Sequence, residues 1–326
     1  MKIAIFRALK LGDMLCSMPA IHLLKRSFPE ASIYVIGLPA MKGLCSRYPY
    51  IDHYVSFPGH PAFPEQETTS HDMANFINEM RSLKFDLLIQ MHGNGTIIND
   101  ILKQFGAKRL IGYCWNPMFE GPDWLLYPNG IHEVEKHLKL LGKLGSAYTP
   151  VDYQIDYPLF DNDRIAFDCW KMKYSIKKYA IIHVGSSVPE RQWPLDNFLF
   201  LAEHLKTQGL QIVLTGVESE EMLVDQFVYL LDETNINMAG KTDLGLLGCL
   251  VQNASIVVSN CTGISHIAAA LETKSIVISL DGEPERWGPL DSRIHLTYDA
   301  TQHIDLKKIS ENMLALLDGG SIGKCN

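Results

Sequence analysis

Four short segments of this 326-residue chain combine residues that do chemistry with turn formers at the ends of apolar runs. The first is Arg7-Ala8-Leu9-Lys10-Leu11-Gly12-Asp13, between the apolar stretch Lys2–Phe6 and an amphipathic one. Gly12 permits a tight turn there. Asp13 reads either as a general base in a cationic surround or as a helix N-cap, and spacing alone leaves both open. The second is Gly185-Ser186-Ser187-Val188-Pro189-Glu190-Arg191-Gln192-Trp193-Pro194. Its hydroxyls and its arginine suit an anionic group such as phosphate, and Trp193 reads as a packing anchor. The third is Ser259-Asn260-Cys261-Thr262-Gly263-Ile264-Ser265-His266. A helix opening at Thr262-Gly263 offers free N–H groups and a positive dipole end, enough for a diphosphate without a metal. A plain capped helix fits the same residues, and a lone histidine such as His266 is more often structural. The fourth is Thr215-Gly216-Val217-Glu218, where Glu218 either accepts ribose hydroxyls or simply favours a helix start. His92-Gly93-Asn94-Gly95-Thr96 imitates the start of G-x-G-x-x-G, but the third glycine position is Ile98. The chain has no P-loop, H-E-x-x-H or C-x-x-C pattern and no G-x-S-x-G nucleophile elbow, which weighs against nicotinamide, structural-zinc and serine-hydrolase chemistry.

These segments need strands and helices to hold them, and the hydrophobic spacing supplies both. In the first half it predicts strands over 2–6, 32–36, 86–90 and 109–111, and helices over 14–27, 72–83, 97–105 and 132–144. In the second half it predicts strands over 179–184, 210–214, 235–238, 255–258 and 275–279. Helices follow over 195–207, 218–231, 244–251, 264–271 and 305–317. Residues 56–70 and 113–130, rich in proline, read as long loops, and 152–175 as a linker. Repeated strand–helix units with buried strands imply an α/β protein of two Rossmann-like, doubly wound parallel sheets facing across a cleft. The expected division is 1–160 and 161–326.

Composition agrees with a globular protein: 47% hydrophobic and 20% charged residues. The net charge of −8 argues against a nucleic-acid binder. Residues 1–150 carry a net +2 and the remainder −10, so the first half faces an anionic partner more easily. Seven scattered cysteines, including Cys325, fit reduced thiols rather than a disulfide framework or a zinc site. No apolar run approaches the ~18 residues of a membrane span. Arg7, Lys10 and Asp13 interrupt any leader-like stretch. We therefore expect a cytoplasmic protein.

Taken in order, these segments resemble glycosyltransferase family 9, the ADP-heptose:lipopolysaccharide heptosyltransferases. The blocks that carry the resemblance are Arg7-xxx-Leu11-Gly12-Asp13 with Pro19-Ala20, Arg191-Gln192-Trp193-Pro194, Thr262-Gly263-xx-His266-xx-Ala269-Ala270-Leu271 and Pro284-Glu285-Arg286-Trp287-Gly288-Pro289. Gly112-Tyr113 and His132-Glu133-Val134-Glu135-Lys136 also look like family segments. The resemblance implies the GT-B architecture, with the acceptor in the N-terminal domain and the nucleotide-sugar in the C-terminal one. It implies metal-independent inverting transfer with Asp13 as general base; an aspartate at its ordinary pKa of ~3.9 is ionised at pH 7. By the same resemblance Ser186, Ser187, Arg191, Gly216, Glu218, Thr242, Cys261, Thr262, Gly263 and His266 would bind an ADP-sugar. Arg7, Lys10, Gly12, His92, His132 and Lys136 would face a glycolipid or glycan acceptor, with peripheral contact at the inner membrane's cytoplasmic face. No cofactor beyond the nucleotide-sugar is implied. The chain departs from the family at two positions: Cys261 replaces an aspartate that contacts the donor sugar in relatives, and Arg191 replaces a lysine. A thiol is a poor substitute for a carboxylate acceptor, so the donor sugar stays open. A UDP- or GDP-sugar transferase and a non-catalytic binder are the alternatives.

Overall fold

The computed structural model describes residues 1–63, 72–231 and 235–319. Cys325 and residues 64–70 of the first proline-bearing loop lie outside the described residues. The chain divides into two compact units, Met1–Asp156 and Tyr157–Asn326.

The first unit runs β1 (Lys2–Phe6), α1 (Leu11–Ser27), β2 (Ser32–Gly37), α2 (Lys42–Cys45), β3 (His53–Ser56), α3 (Asp72–Leu83), β4 (Leu87–Gln90), α4 (Ile98–Lys103), β5 (Arg109–Cys114), β6 (Trp124–Leu126) and α5 (Glu133–Leu141). Its sheet is wholly parallel with order β3-β2-β1-β4-β5-β6. β1 is buried from Ile3 onward because neighbouring strands cover both edges and helices cover both faces. Phe6, Tyr34, Phe57, Phe76, Phe85 and Phe105 fill one side of the sheet.

The second unit runs α6 (Asp161–Tyr174), β7 (Tyr179–His183), α7 (Leu195–Thr207), β8 (Gln211–Leu214), α8 (Glu221–Leu231), β9 (Ile236–Asn237), α9 (Leu244–Asn253), β10 (Val257–Asn260), α10 (Gly263–Ala270), β11 (Ser275–Ser279), α11 (Pro284–Trp287), β12 (His295–Asp299) and α12 (Leu306–Leu317). The order β12-β11-β10-β7-β8-β9 is again parallel, and counted from β7 it repeats the order of the first unit. Each unit therefore has one switch point, between β1 and β4 and between β7 and β10. Open α/β sheets take their ligands at such a point, beyond the carboxyl ends of the strands.

Three strands escaped the spacing analysis: β3, β6 and β12. All lie at sheet edges and are only partly buried, so they lack the continuous apolar run of a central strand. The linker over 152–175 is corrected more sharply, because α6 occupies fourteen of its residues. Only Phe167 and Trp170 of α6 are buried, so its apolar signal is faint. It packs on α9, where a Cβ at Gly245 would stand 1.9 Å from the Asp163 carboxylate and one at Gly248 2.6 Å from the Tyr157 ring. The Tyr157 hydroxyl donates to the Leu244 carbonyl at 2.8 Å.

Candidate functional site

In the first unit the chain leaves β1 at Arg7 and enters α1 at Leu11, with Lys10 as the N-cap. Asp13 is thus the third helical residue and not the cap. Arg7 is 1% exposed, the largest fully buried side chain of the protein. A guanidinium there requires partners on every side. Its Nε donates to the Asp13 carbonyl at 2.7 Å, and its Nη1 to the Met91 carbonyl beyond β4. Its Nη2 donates to Asp13 Oδ1 at 3.2 Å and Glu133 Oε1 at 3.3 Å.

Glu133 opens α5, which packs against α1. Lys136, one turn on, donates from Nζ to Glu133 Oε2 at 2.6 Å and to the Tyr127 hydroxyl at 2.8 Å. His137 Nε2 lies 3.5 Å from Glu133 Oε1. Burial alone would raise the Glu133 carboxyl, but His137, Arg7 and Lys136 outweigh it and hold that carboxyl far below the usual range. Arg7, Glu133, Lys136 and His137 are all buried, while the Asp13 side chain is 27% exposed. The network thus fixes one solvent-reachable carboxylate at the switch point. In itself, that geometry can take a proton from a hydroxyl.

Arg7 and Lys136 therefore do not lie on an open surface, as expected for acceptor-facing residues. Their charges are spent inside the protein, holding Asp13 and Glu133. His132 is buried and caps α5, its Nδ1 accepting from the Val134 amide at 3.2 Å. Lys10 is exposed and Gly12 partly so. His92 follows β4 with its ring 5.5 Å from Phe6 and 4.9 Å from Phe63. Burial and the nearby Arg7 charge push it down to about 4, so it is neutral at pH 7. Gly95, at φ +85°, cannot carry a side chain, since a Cβ would meet the Tyr113 carbonyl at 2.3 Å.

His137, like His92, is lowered by burial to about 4. An unfolded histidine titrates near 6.5, so between about pH 6.5 and 4 the unfolded chain binds protons that the folded unit does not. Stability then falls as pH drops through that window. The Glu133 contribution declines in the same direction, since its folded carboxyl is depressed. We expect the thermal midpoint of the first unit to fall from pH 7 to pH 5; a flat or rising midpoint would contradict this reading.

In the second unit Asn260, at the end of β10, joins the switch-point loops. Its Nδ2 donates to the carbonyls of Val184 (2.9 Å) and Gly185 (3.2 Å), and its Oδ1 accepts from the Trp193 amide at 3.1 Å. The sequence placed Asn260 inside a motif but gave it no role, and only its burial reveals one. Trp193 is buried edge-on against Phe198 and acts as the anchor its type suggests. Ser186 is buried with Oγ accepting from the Val188 amide at 3.3 Å, and Ser187 is exposed. Thr262 occupies the N-cap of α10 and Gly263 its first position, both half-buried. A helix start leaves amides without intrahelical partners, an arrangement able to hold an anion. His266 is buried one turn in, 6.5 Å from the Trp287 ring.

Gly216 and Thr242 are half-buried, and Glu218 points to solvent. The inward carboxylate of that segment is Glu220, two residues on. Its Oε2 accepts from the Val217 amide at 2.9 Å and lies 3.9 Å from His183 Nε2. A Cβ at Gly185 would stand 2.2 Å from it, so Gly185 is what admits Glu220 beneath the loop. Sequence spacing cannot separate the two glutamates; a single 3-10 turn over Glu218–Glu220 does. Arg191 is half-exposed, with Nη1 3.8 Å from Asp281 Oδ2. Burial and the Asp281 charge push the Cys261 thiol up to about 12, so it stays protonated. Among the described residues no group of three or more His, Cys, Asp or Glu side chains is placed to hold a metal ion.

Two six-stranded parallel sheets of dinucleotide-fold order make this an α/β protein of the double-Rossmann class. A family model, glycosyltransferase family 9 (heptosyltransferase), matches residues 73–314. Lipopolysaccharide heptosyltransferase 3 of Escherichia coli K12 is 26% identical over 301 residues, covering 87% of this chain and 83% of that protein. The family 9 glycosyl transferase of Veillonella parvula superposes with a TM-score of 0.77 at 16% identity, covering 98% of this chain and 93% of that one. The E. coli heptosyltransferase WaaC with ADP superposes with a TM-score of 0.73 at 15% identity, covering 97% and 100%. The chain belongs to glycosyltransferase family 9: it is a glycosyltransferase of GT-B fold. No helix among its described residues is long and apolar enough to cross a membrane.

Proposed function

We propose that the protein transfers a sugar, a heptose by its relatives' activity, from an ADP-sugar to a lipopolysaccharide-type glycan acceptor with inversion at the anomeric carbon. One observation carries this reading: Asp13 is the solvent-reachable carboxylate of an otherwise buried network at a strand end where ligands bind. As general base it takes the proton of an acceptor hydroxyl while that oxygen attacks the anomeric carbon. The bond from that carbon to the diphosphate oxygen breaks as the new glycosidic bond forms, and the nucleoside diphosphate leaves. The amides at Thr262-Gly263 and the Arg191 guanidinium stabilise the charge gathering on the leaving group. In this reading Glu220, the inward carboxylate of its segment, takes the ribose hydroxyls in place of Glu218. Arg7 acts by holding Asp13, and Lys136 by holding Glu133, rather than by touching the acceptor. Lys10 is the exposed cation left to meet an anionic acceptor, at the membrane surface where a glycolipid presents it.

Calorimetric titration with ADP, UDP and GDP tests the donor class, and selective ADP binding is expected. Selective UDP or GDP binding would move the function to another donor. Arg191→Ala is expected to weaken ADP binding by about 1.5–3 kcal/mol, the worth of a charged hydrogen bond to phosphate. Unchanged ADP affinity would place Arg191 away from the diphosphate.

A further inference from the structure

The order of loops along the carboxyl edge of the second sheet says where each part of a nucleotide-sugar lies. Glu220 follows β8, the Gly185 loop follows β7, the Cys261–Gly263 turn follows β10, and Asp281 follows β11. With ribose at Glu220 and diphosphate at the α10 amides, the group beyond the diphosphate falls at the β10 and β11 ends. This step rests on the donor reading proposed above. The side chains there are Cys261 and Asp281. Cys261 sits at the turn, its amide bonded to the Ile278 carbonyl of β11 at 2.8 Å. Its protonated thiol is a weak acceptor for sugar hydroxyls.

Asp281 is different. Its side chain is 9% exposed, and its Oδ1 accepts from Ser279 Oγ at 2.7 Å and from the Glu283 amide at 3.1 Å. Those two bonds fix the carboxylate plane. Oδ2 makes no hydrogen bond among the described residues; Arg191 Nη1 stands off at 3.8 Å. A carboxylate oxygen of a nearly buried side chain, oriented and left without a hydrogen bond, is matched to a hydroxyl donor. We propose that Asp281 is a specificity-determining residue that accepts a hydrogen bond from a hydroxyl of the donor's sugar through Oδ2. The carboxylate that reads the sugar thus comes from the β11 loop and not from position 261.

The test is the ratio of ADP-heptose to ADP affinity, measured calorimetrically on the wild-type chain and on Asp281→Asn. Asparagine keeps an acceptor for Ser279 and Glu283, and the thermal midpoint checks that the fold holds; Asp281→Glu is the second variant. We expect Asp281→Asn to lose about tenfold or more in ADP-heptose affinity, the worth of a charged hydrogen bond, with ADP affinity changed less than threefold. An unchanged ratio overturns the proposal. Parallel loss of ADP and ADP-heptose overturns it too, since Asp281 would then act by orienting Arg191. Wild-type protein that binds neither ADP probe defeats the donor reading instead, and UDP-glucose against UDP then decides on Asp281 by the same ratio. Failure to bind either pair defeats both.

Discussion

Asp13→Asn is expected to lower kcat for sugar transfer by about 10²–10⁴-fold, the usual contribution of a positioned acid or base. Asparagine preserves the shape and still offers Arg7 an acceptor, so the fold around α1 should persist. What disappears is the ability to hold a proton. Affinity for ADP should stay within a factor of two, because the diphosphate and ribose groups of the proposed site belong to the other unit. Transfer assays with saturating donor, run beside ADP titrations, separate the two quantities. Transfer at the wild-type rate would remove Asp13 from its role. Loss of ADP binding with activity would show a structural lesion instead.

Glu133→Ala carries the largest expected effect on stability. Glu133 is buried and accepts from both Arg7 and Lys136, two cations that are themselves buried. Removing one partner of a buried ion pair typically costs about 3–5 kcal/mol, because the remaining charge is left uncompensated in a poorly polarisable interior. For a unit of this size that lowers the melting midpoint by on the order of 10 °C. Denaturant unfolding followed by tryptophan fluorescence and calorimetry reads it. A loss below about 1 kcal/mol would mean that water or a rearranged Asp13 replaces Glu133. Glu133→Gln should fall between, since it keeps the packing and one acceptor oxygen but not the charge. Both variants should also slow transfer, because Arg7 would no longer be held against Asp13 by its second carboxylate.

These two predictions stand on residues of very different legibility. Asp13 stood out as a carboxylate between an apolar run and a helical one, open between base and cap until the family resemblance favoured the base. The network behind it was not. Arg7 and Glu133 are 126 positions apart, and nothing local in either segment says that α1 and α5 pack together. The family resemblance therefore assigned the cations Arg7 and Lys136 to an anionic acceptor. The same limit explains the two glutamates of the turn after β8 in the second unit. Glu218 and Glu220 have equal chemistry, and the direction of one helical turn selects Glu220.

The elements divide along a similar line. β1, α3 and β11 match their expected bounds, because a strand covered on both faces or a regular amphipathic helix writes its period into local residues. β3, β6 and β12 lie at sheet edges, where half-exposed positions accept polar residues and blur that period. α6 is polar on most of its surface and becomes a helix of the second unit through contact with α9, not through its own apolar content.

What the sequence by itself determined is the alternation of strands and helices, the loops that carry the proposed ligand-binding residues, and the family. Each of these depends on neighbours in the chain or on ordered blocks along it. What only the tertiary structure decided is which charges stay open to solvent and which face each other. A charged side chain is worth little in water and a great deal when buried, so its role follows from its partners and its solvent. Arg7, Glu133, Glu220 and Asp281 acquire both when distant segments come together.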